Sequence, residues 1–246
     1  MQPVTRDPVE QFYDEHVTRK LRDFVAGNAR VDSAWHGIVT GAEAPRDVLE
    51  VGCGIGYVSA RMKQQWPDAK VVALDVSPAS IRLAEQLFGD AGVRFECVRL
   101  EELNFERQFD LVVLMDLYEH IDARDRSRFH AALARTLAPD AAIFLSFPTP
   151  EYQSYLRANE PEKLQPVDED VSPSVLEELA ADCGGALARY ETVSVWRRLD
   201  YAHAWIRRDS GTPLRPVDPH EREKTVRREL VAERLGIGWL EAADRS

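Results

Sequence analysis

Residues 47–56 read DVLEVGCGIG, an apolar run that ends in Gly52, Gly54 and Gly56. A run of β-favouring residues predicts a buried strand, and alternating glycines predict a turn stripped of side chains. Such a turn lets a ligand approach the main chain, and a helix starting after Gly56 would aim its first amides at that ligand. Glu50 precedes the glycines, and Asp75 closes the next apolar run, KVVALD. A carboxylate in that place can take both hydroxyls of a ribose. The glycines and Asp75 together describe a site for an adenosine-type cofactor. The dinucleotide fingerprint G-x-G-x-x-G would need a glycine where Tyr57 stands, and no Tyr-x-x-x-Lys hydride-transfer set is present. An NAD-dependent oxidoreductase is therefore disfavoured.

The elements that must position these residues follow a rhythm. DVLEV, KVVALD, VRFECV, FDLVVLM and AAIFLSF are apolar runs, and helical stretches separate them. Continuous rather than alternating apolar strands predict a parallel sheet covered on both faces. Ser77 and Pro78 mark a helix start, and Gly89 its end. The expected fold is α/β: a doubly wound, Rossmann-like, mainly parallel seven-stranded sheet with helices on both faces. Ligands of such sheets sit at the carboxyl ends of the strands. Residues 1–45 read as covering helices and residues 46–209 as the core. Within the core, residues 148–171 form a proline-rich insertion read as a lid. Residues 210–246 read as a linker and a charged helix, whose weak apolar stripe (Val226, Leu230, Val231, Leu235) would suit docking on the body or a homodimer.

Composition narrows the partners. The chain has 246 residues and a formal charge of -11, which disfavours nucleic acid as a partner. It has no apolar stretch of the length a membrane span needs and no signal-like start, so a cytoplasmic protein is expected. Cys53, Cys97 and Cys183 are odd in number and widely spread; they read as free thiols rather than a metal site or disulfides.

At LEVGCGIG, with Asp75 and then FDLVVLMDLYEHI in order, the chain resembles the class I S-adenosylmethionine-dependent methyltransferases, of the UbiE-like and small-molecule type, over residues 46–207. The resemblance implies S-adenosylmethionine as the cofactor and S-adenosylhomocysteine as its product. It implies that Gly52, Gly54 and Gly56 face the methionine part, and that Glu50 contacts its ammonium end or holds the turn. Asp75 would bind the ribose and Val76 would flank the adenine. Asp116 and Leu117 would border the sulfonium and the substrate. Arg99 holds a place where the family often carries an acid near the adenine; the Leu100 backbone amide or Glu101 would serve instead.

Methyl transfer is an in-line displacement, so the protein must mainly align the acceptor and exclude water. A hydroxyl acceptor calls for a base, and His120, after the fourth strand, is the first candidate. The alternative is that His120 orders its loop through hydrogen bonds. Tyr13 and His16 in the leading segment, with Tyr152 and Tyr155 in the insertion, are candidate substrate contacts. The insertion also carries Arg157, Asn159, Gln165, Asp168, Glu169 and Asp170, a set suited to a polar molecule. A divalent cation on the three adjacent acids is less favoured than none. The expected function is methylation of a small polar acceptor at oxygen, with a sugar or glycan precursor in view. Transfer to nitrogen or carbon, and a non-catalytic cofactor-binding module, stay open as alternatives.

Overall fold

The computed structural model describes residues 16–99, 102, 105 and 107–208. The chain divides into one unit over residues 1–210 and another over 211–246. The second unit, with the docking helix expected there, lies outside the described residues.

Seven strands form one sheet in the order β3-β2-β1-β4-β5-β7-β6. They are β1 (Asp47–Val51), β2 (Lys70–Asp75), β3 (Val93–Cys97), β4 (Phe109–Met115), β5 (Leu137–Pro148), β6 (Gly185–Val193) and β7 (Tyr201–Arg208). The first five pair in parallel, and β7 runs antiparallel to both β5 and β6. The order reverses between β1 and β4, so their carboxyl ends flank the crevice where such sheets bind ligands.

Both faces of the sheet are covered. Helices α1 (Val17–Ala26), α2 (Ala29–Gly41), α3 (Tyr57–Gln65) and α4 (Pro78–Phe88) precede β3. Ala34 and Ile38 of α2, Val58 and Met62 of α3 and Ile81 of α4 share one core with Val48, Val113 and Phe144. Helices α5 (Arg126–Thr136), α6 (Pro150–Asn159) and α7 (Pro173–Asp182) follow. Phe129 and Leu133 of α5 and Leu176 and Leu179 of α7 build the opposite core with Leu49, Val112 and Leu145. Neighbouring strand residues thus feed opposite cores, which is why the strands read as unbroken apolar runs. Among the described residues no helix is long and apolar enough to cross a membrane.

The proline-rich insertion is more ordered than its composition implies. Thr149 caps α6, its side chain accepting from the Tyr152 amide, and Pro150 occupies the first turn. A short 3-10 turn (Pro161–Lys163) and an irregular strap over 164–171 complete it. The threonine-proline start is a helix signal that the density of prolines and acids had obscured.

Helix α2 lies unusually close to the sheet. A Cβ added to Gly41 would sit 2.4 Å from the Trp205 ring, and one at Gly37 would sit 3.0 Å from Phe144. Gly41→Ala is expected to lower stability by about 1–3 kcal/mol through overpacking, read as a lower urea midpoint with an unchanged slope.

Candidate active site

The site begins where β1 ends. Gly52 and Cys53 both donate to the Leu74 carbonyl, at 2.8 and 2.9 Å, which bends the chain back toward β2. Gly52, Gly54 and Gly56 have φ of 80°, 56° and 80°, a region that side-chain-bearing residues seldom adopt. Their surroundings differ. A Cβ at Gly54 would sit in ordinary contact with Lys20, 3.6 Å from its Nζ, and Gly54 lines the cavity. A Cβ at Gly56 would strike the Phe95 ring at 2.6 Å. Gly56 is buried and absent from the cavity wall, so its small size serves packing and the start of α3.

Asp75 locks the turn to β2. Its Oδ2 accepts from the Gly54 amide at 2.8 Å and its Oδ1 from the Ser77 amide at 2.9 Å. A carboxylate has about four acceptor sites, so two remain for a diol. Glu50 is buried and accepts from Ser59 Oγ.

These residues line a cavity of about 370 Å³. Glu50, Gly52, Gly54, Asp75, Val76, Asp116, Leu117, His16 and His120 all reach its wall. Tyr152 and Tyr155 do not. They stack on each other with centroids 6.2 Å apart, and Arg197 lies over the Tyr155 ring at 4.3 Å. Their place on α6, set by the Thr149 cap, turns them toward the β6–β7 loop instead. Tyr13 and Leu100 lie outside the described residues. Among the described residues, no group of three His, Cys, Asp or Glu side chains is placed to hold a metal ion. Asp170 instead pairs with Arg157 at 2.9 Å.

Lys20, Arg30 and Gln165 also reach the wall; spacing marked none of them, and Gln165 stood only among the polar residues of the insertion. Helix α1, held by Phe24 edge-on to Tyr57 at 4.8 Å, brings Lys20 over the glycine turn, where its Nζ donates to Ser80 Oγ at 3.2 Å. Arg30, one residue into α2, pairs with Asp116 at 3.2 Å. Burial opposes the Arg30 charge, but Asp116 and Tyr201 outweigh it and hold the guanidinium charged. Asp116 itself has φ 47°, a strained position at the end of β4. Gln165 comes from the strap.

His120 is almost enclosed, with a tenth of its side chain exposed. Its Nδ1 donates to the Val167 carbonyl at 2.8 Å and lies 3.1 Å from Asp168 Oδ1. Its Nε2 lies 2.8 Å from Gln165 Nε2 and 3.7 Å from Glu119 Oε1. Burial alone would lower its pKa, but Glu119, Asp168 and the Val167 carbonyl together raise it to about 9.

Burial pushes the Glu50 carboxyl up to about 8, with the Ser59 bond opposing and the Asp75 charge adding. The folded protein therefore holds this proton more tightly than the unfolded chain, whose carboxyl titrates near ~4.3. The stabilisation is complete below that value and is lost as pH rises through about 8. The melting temperature is expected to fall over that window, and Glu50→Gln to flatten the slope. Thermal unfolding across the range checks both, and equal slopes in the two proteins would contradict it.

Comparison with known proteins agrees with this geometry. Residues 48–140 match the methyltransferase domain family. The malonyl-[acyl-carrier protein] O-methyltransferase of Acetivibrio thermocellus is 39% identical over 67 residues, which is 27% of this chain and 24% of that protein. The first curated relatives are matched over only 24% to 33% of their length. The trans-aconitate 2-methyltransferase of Mycobacterium sp. (strain KMS) is 27% identical over 72% of both chains. Among solved structures, the methyltransferase in complex with the Haloferax volcanii Trm112 methyltransferase activator superposes with a TM-score of 0.68 at 15% identity, covering 82% of this chain and 97% of that one. Magnesium protoporphyrin IX methyltransferase from Synechocystis, with bound S-adenosylhomocysteine, gives 0.58 at 21% identity over 73% and 81%. Residues 48–140 thus match a methyltransferase domain, and the sheet order, the glycine turn and the second-strand acid give the chain the fold of those solved methyltransferases.

Proposed function

We propose that this protein transfers a methyl group from S-adenosylmethionine to an oxygen of a small polar acceptor, and that it works in the cytoplasm. The observation that carries the reading is the Asp75 carboxylate, which is bonded to the Gly54 amide at 2.8 Å beside a cavity of about 370 Å³. The residues present fit the cofactor. The main chain at Gly54, on the cavity wall, suits its amino-acid part, Asp75 keeps acceptor sites for a ribose, and Val76, Val98 and Arg99 line the wall beyond. When bound, S-adenosylmethionine supplies an activated methyl group.

The chain's own residues then have two tasks, orientation and exclusion of water. Asp116, Leu117 and Arg30 border the inner wall, where the acceptor would lie, and α1 covers the mouth through Lys20 and Phe24. Transfer to oxygen is supported by a relative named as an O-methyltransferase. A sugar acceptor drew on Tyr152 and Tyr155, and their seats away from the cavity leave that finer reading without support.

Calorimetric titration tests the proposal. The wild-type protein is expected to bind S-adenosylmethionine and S-adenosylhomocysteine and not NAD. Asp75→Asn keeps the shape but weakens a charge-assisted bond, so affinity should fall about tenfold to a hundredfold. Gly54→Val should abolish binding while far-ultraviolet circular dichroism stays native. Binding of NAD alone, or equal affinity in both variants, would overturn the assignment.

A further inference from the structure

The glycine turn and Asp75 build the cofactor end of the cavity, while the strap over 164–170 closes part of the other. The strap has no regular structure and crosses the turn Tyr118–His120. The Glu169 amide donates to the Glu119 carbonyl at 2.8 Å, and the Val167 carbonyl accepts from His120 Nδ1 at 2.8 Å. Asp168 accepts from the Gln165 amide at 2.5 Å, and Arg157 donates to the Asp168 carbonyl at 2.8 Å. Gln165 is the strap residue that reaches the cavity wall, and its Oε1 is buried without a hydrogen-bond partner.

We propose that His120 is a positioning residue: it latches the strap across the Tyr118–His120 turn and so holds Gln165 at the cavity wall. This rests on the methyltransferase reading. A ring nitrogen held between a carbonyl and a carboxylate carries its proton, so Nδ1 is a donor. The charged groups facing the ring are Glu119 on its own turn and Asp168 on the strap, with Asp116 and Arg30 behind Glu119. The Asp168 carboxylate at 3.1 Å favours the charged imidazolium, and Glu119 at 3.7 Å, whose own carboxyl burial pushes up to about 7, adds to this where it is ionised. The rise of the His120 pKa to about 9 agrees. A charged ring carries a second proton on Nε2, which cannot sit against the Gln165 amide nitrogen. A half-turn of the carboxamide puts Oε1 on Nε2–H and gives that orphaned oxygen its donor. The charged ring has no lone pair for an acceptor's proton, so in this state His120 is not the base.

The full-length protein tests the proposal in two ways. Trypsin cuts after Lys163, which is exposed at the start of the strap. With S-adenosylhomocysteine present, His120→Ala should be cut at Lys163 about tenfold faster than wild type, the loss expected for hydrogen bonds to a charged group. His120→Asn, which can still donate to the Val167 carbonyl, should restore part of the protection. S-adenosylhomocysteine binding, measured in all three proteins, shows whether the cofactor end is intact. Equal cleavage with cofactor binding intact would overturn the latch alone. Absence of cofactor binding in the wild type would bring down the methyltransferase reading, and this proposal with it. Nitrogen-15 spectra of the ring give the second test. Both His120 nitrogens should be protonated at neutral pH in the wild type, and the Nε2–H signal should move in Gln165→Leu. A ring with one proton at neutral pH would overturn the assigned carboxamide orientation.

Discussion

One carboxylate holds the cofactor end together. Asp75 stands at the last position of β2 and accepts amides from two directions, Gly54 on the turn after β1 and Ser77 at the start of α4. Each of these bonds satisfies a main-chain donor that a tight turn or a helix start would otherwise leave exposed. Their joint effect is to fix the glycine turn relative to the neighbouring strand. The rest of the wall is arranged around that fixed turn, with Leu117 packed within 3.0 Å of the space a Gly52 Cβ would need, and Lys20 above Gly54.

The inner end depends on a different pairing. Asp116 is strained at the end of β4, its amide donating to the Ser146 carbonyl of β5 at 2.8 Å and its carboxylate facing Arg30. Arg30 belongs to α2, a helix that precedes the whole sheet in sequence. The close approach of Gly37 and Gly41 to Phe144 and Trp205 brings that helix down far enough for Arg30 to reach. A packing feature, two glycines on one helix face, thus decides an electrostatic one. Nearby, Tyr118 bonds His130, and His130 bonds Asp182, at 2.8 and 2.7 Å. This chain, buried at Tyr118 and His130 and exposed at Asp182, ties the turn carrying His120 to α5 and α7.

Gly56 and His120 show how far local reading reaches. Gly56 sits in a spaced triplet, and its spacing pointed to the ligand. Its neighbour in space is the Phe95 ring of β3, nearly forty residues away in sequence. No local pattern carries that contact. His120 stood where a base could stand, at the ligand end of the sheet. Its partners are Gln165, Val167 and Asp168, which arrive from the insertion that the sequence marked as a polar lid without showing what it would touch. Tyr152 and Tyr155 had suitable chemistry but a helix start at Thr149 faced them elsewhere.

By itself the sequence determined the sheet, its parallel character, the glycine turn and the acid at the end of the second strand. Those depend on short-range rules: apolar runs bury, glycines permit positive φ, and a strand end fixes where its last residue lies. The tertiary structure alone decided which distant side chains join them at the cavity. Arg30 and Gln165 reach the wall, and the insertion tyrosines do not, because helices packed on a sheet set those distances. The turn that places each side chain is fixed by contacts far along the chain, and local residue types do not encode them.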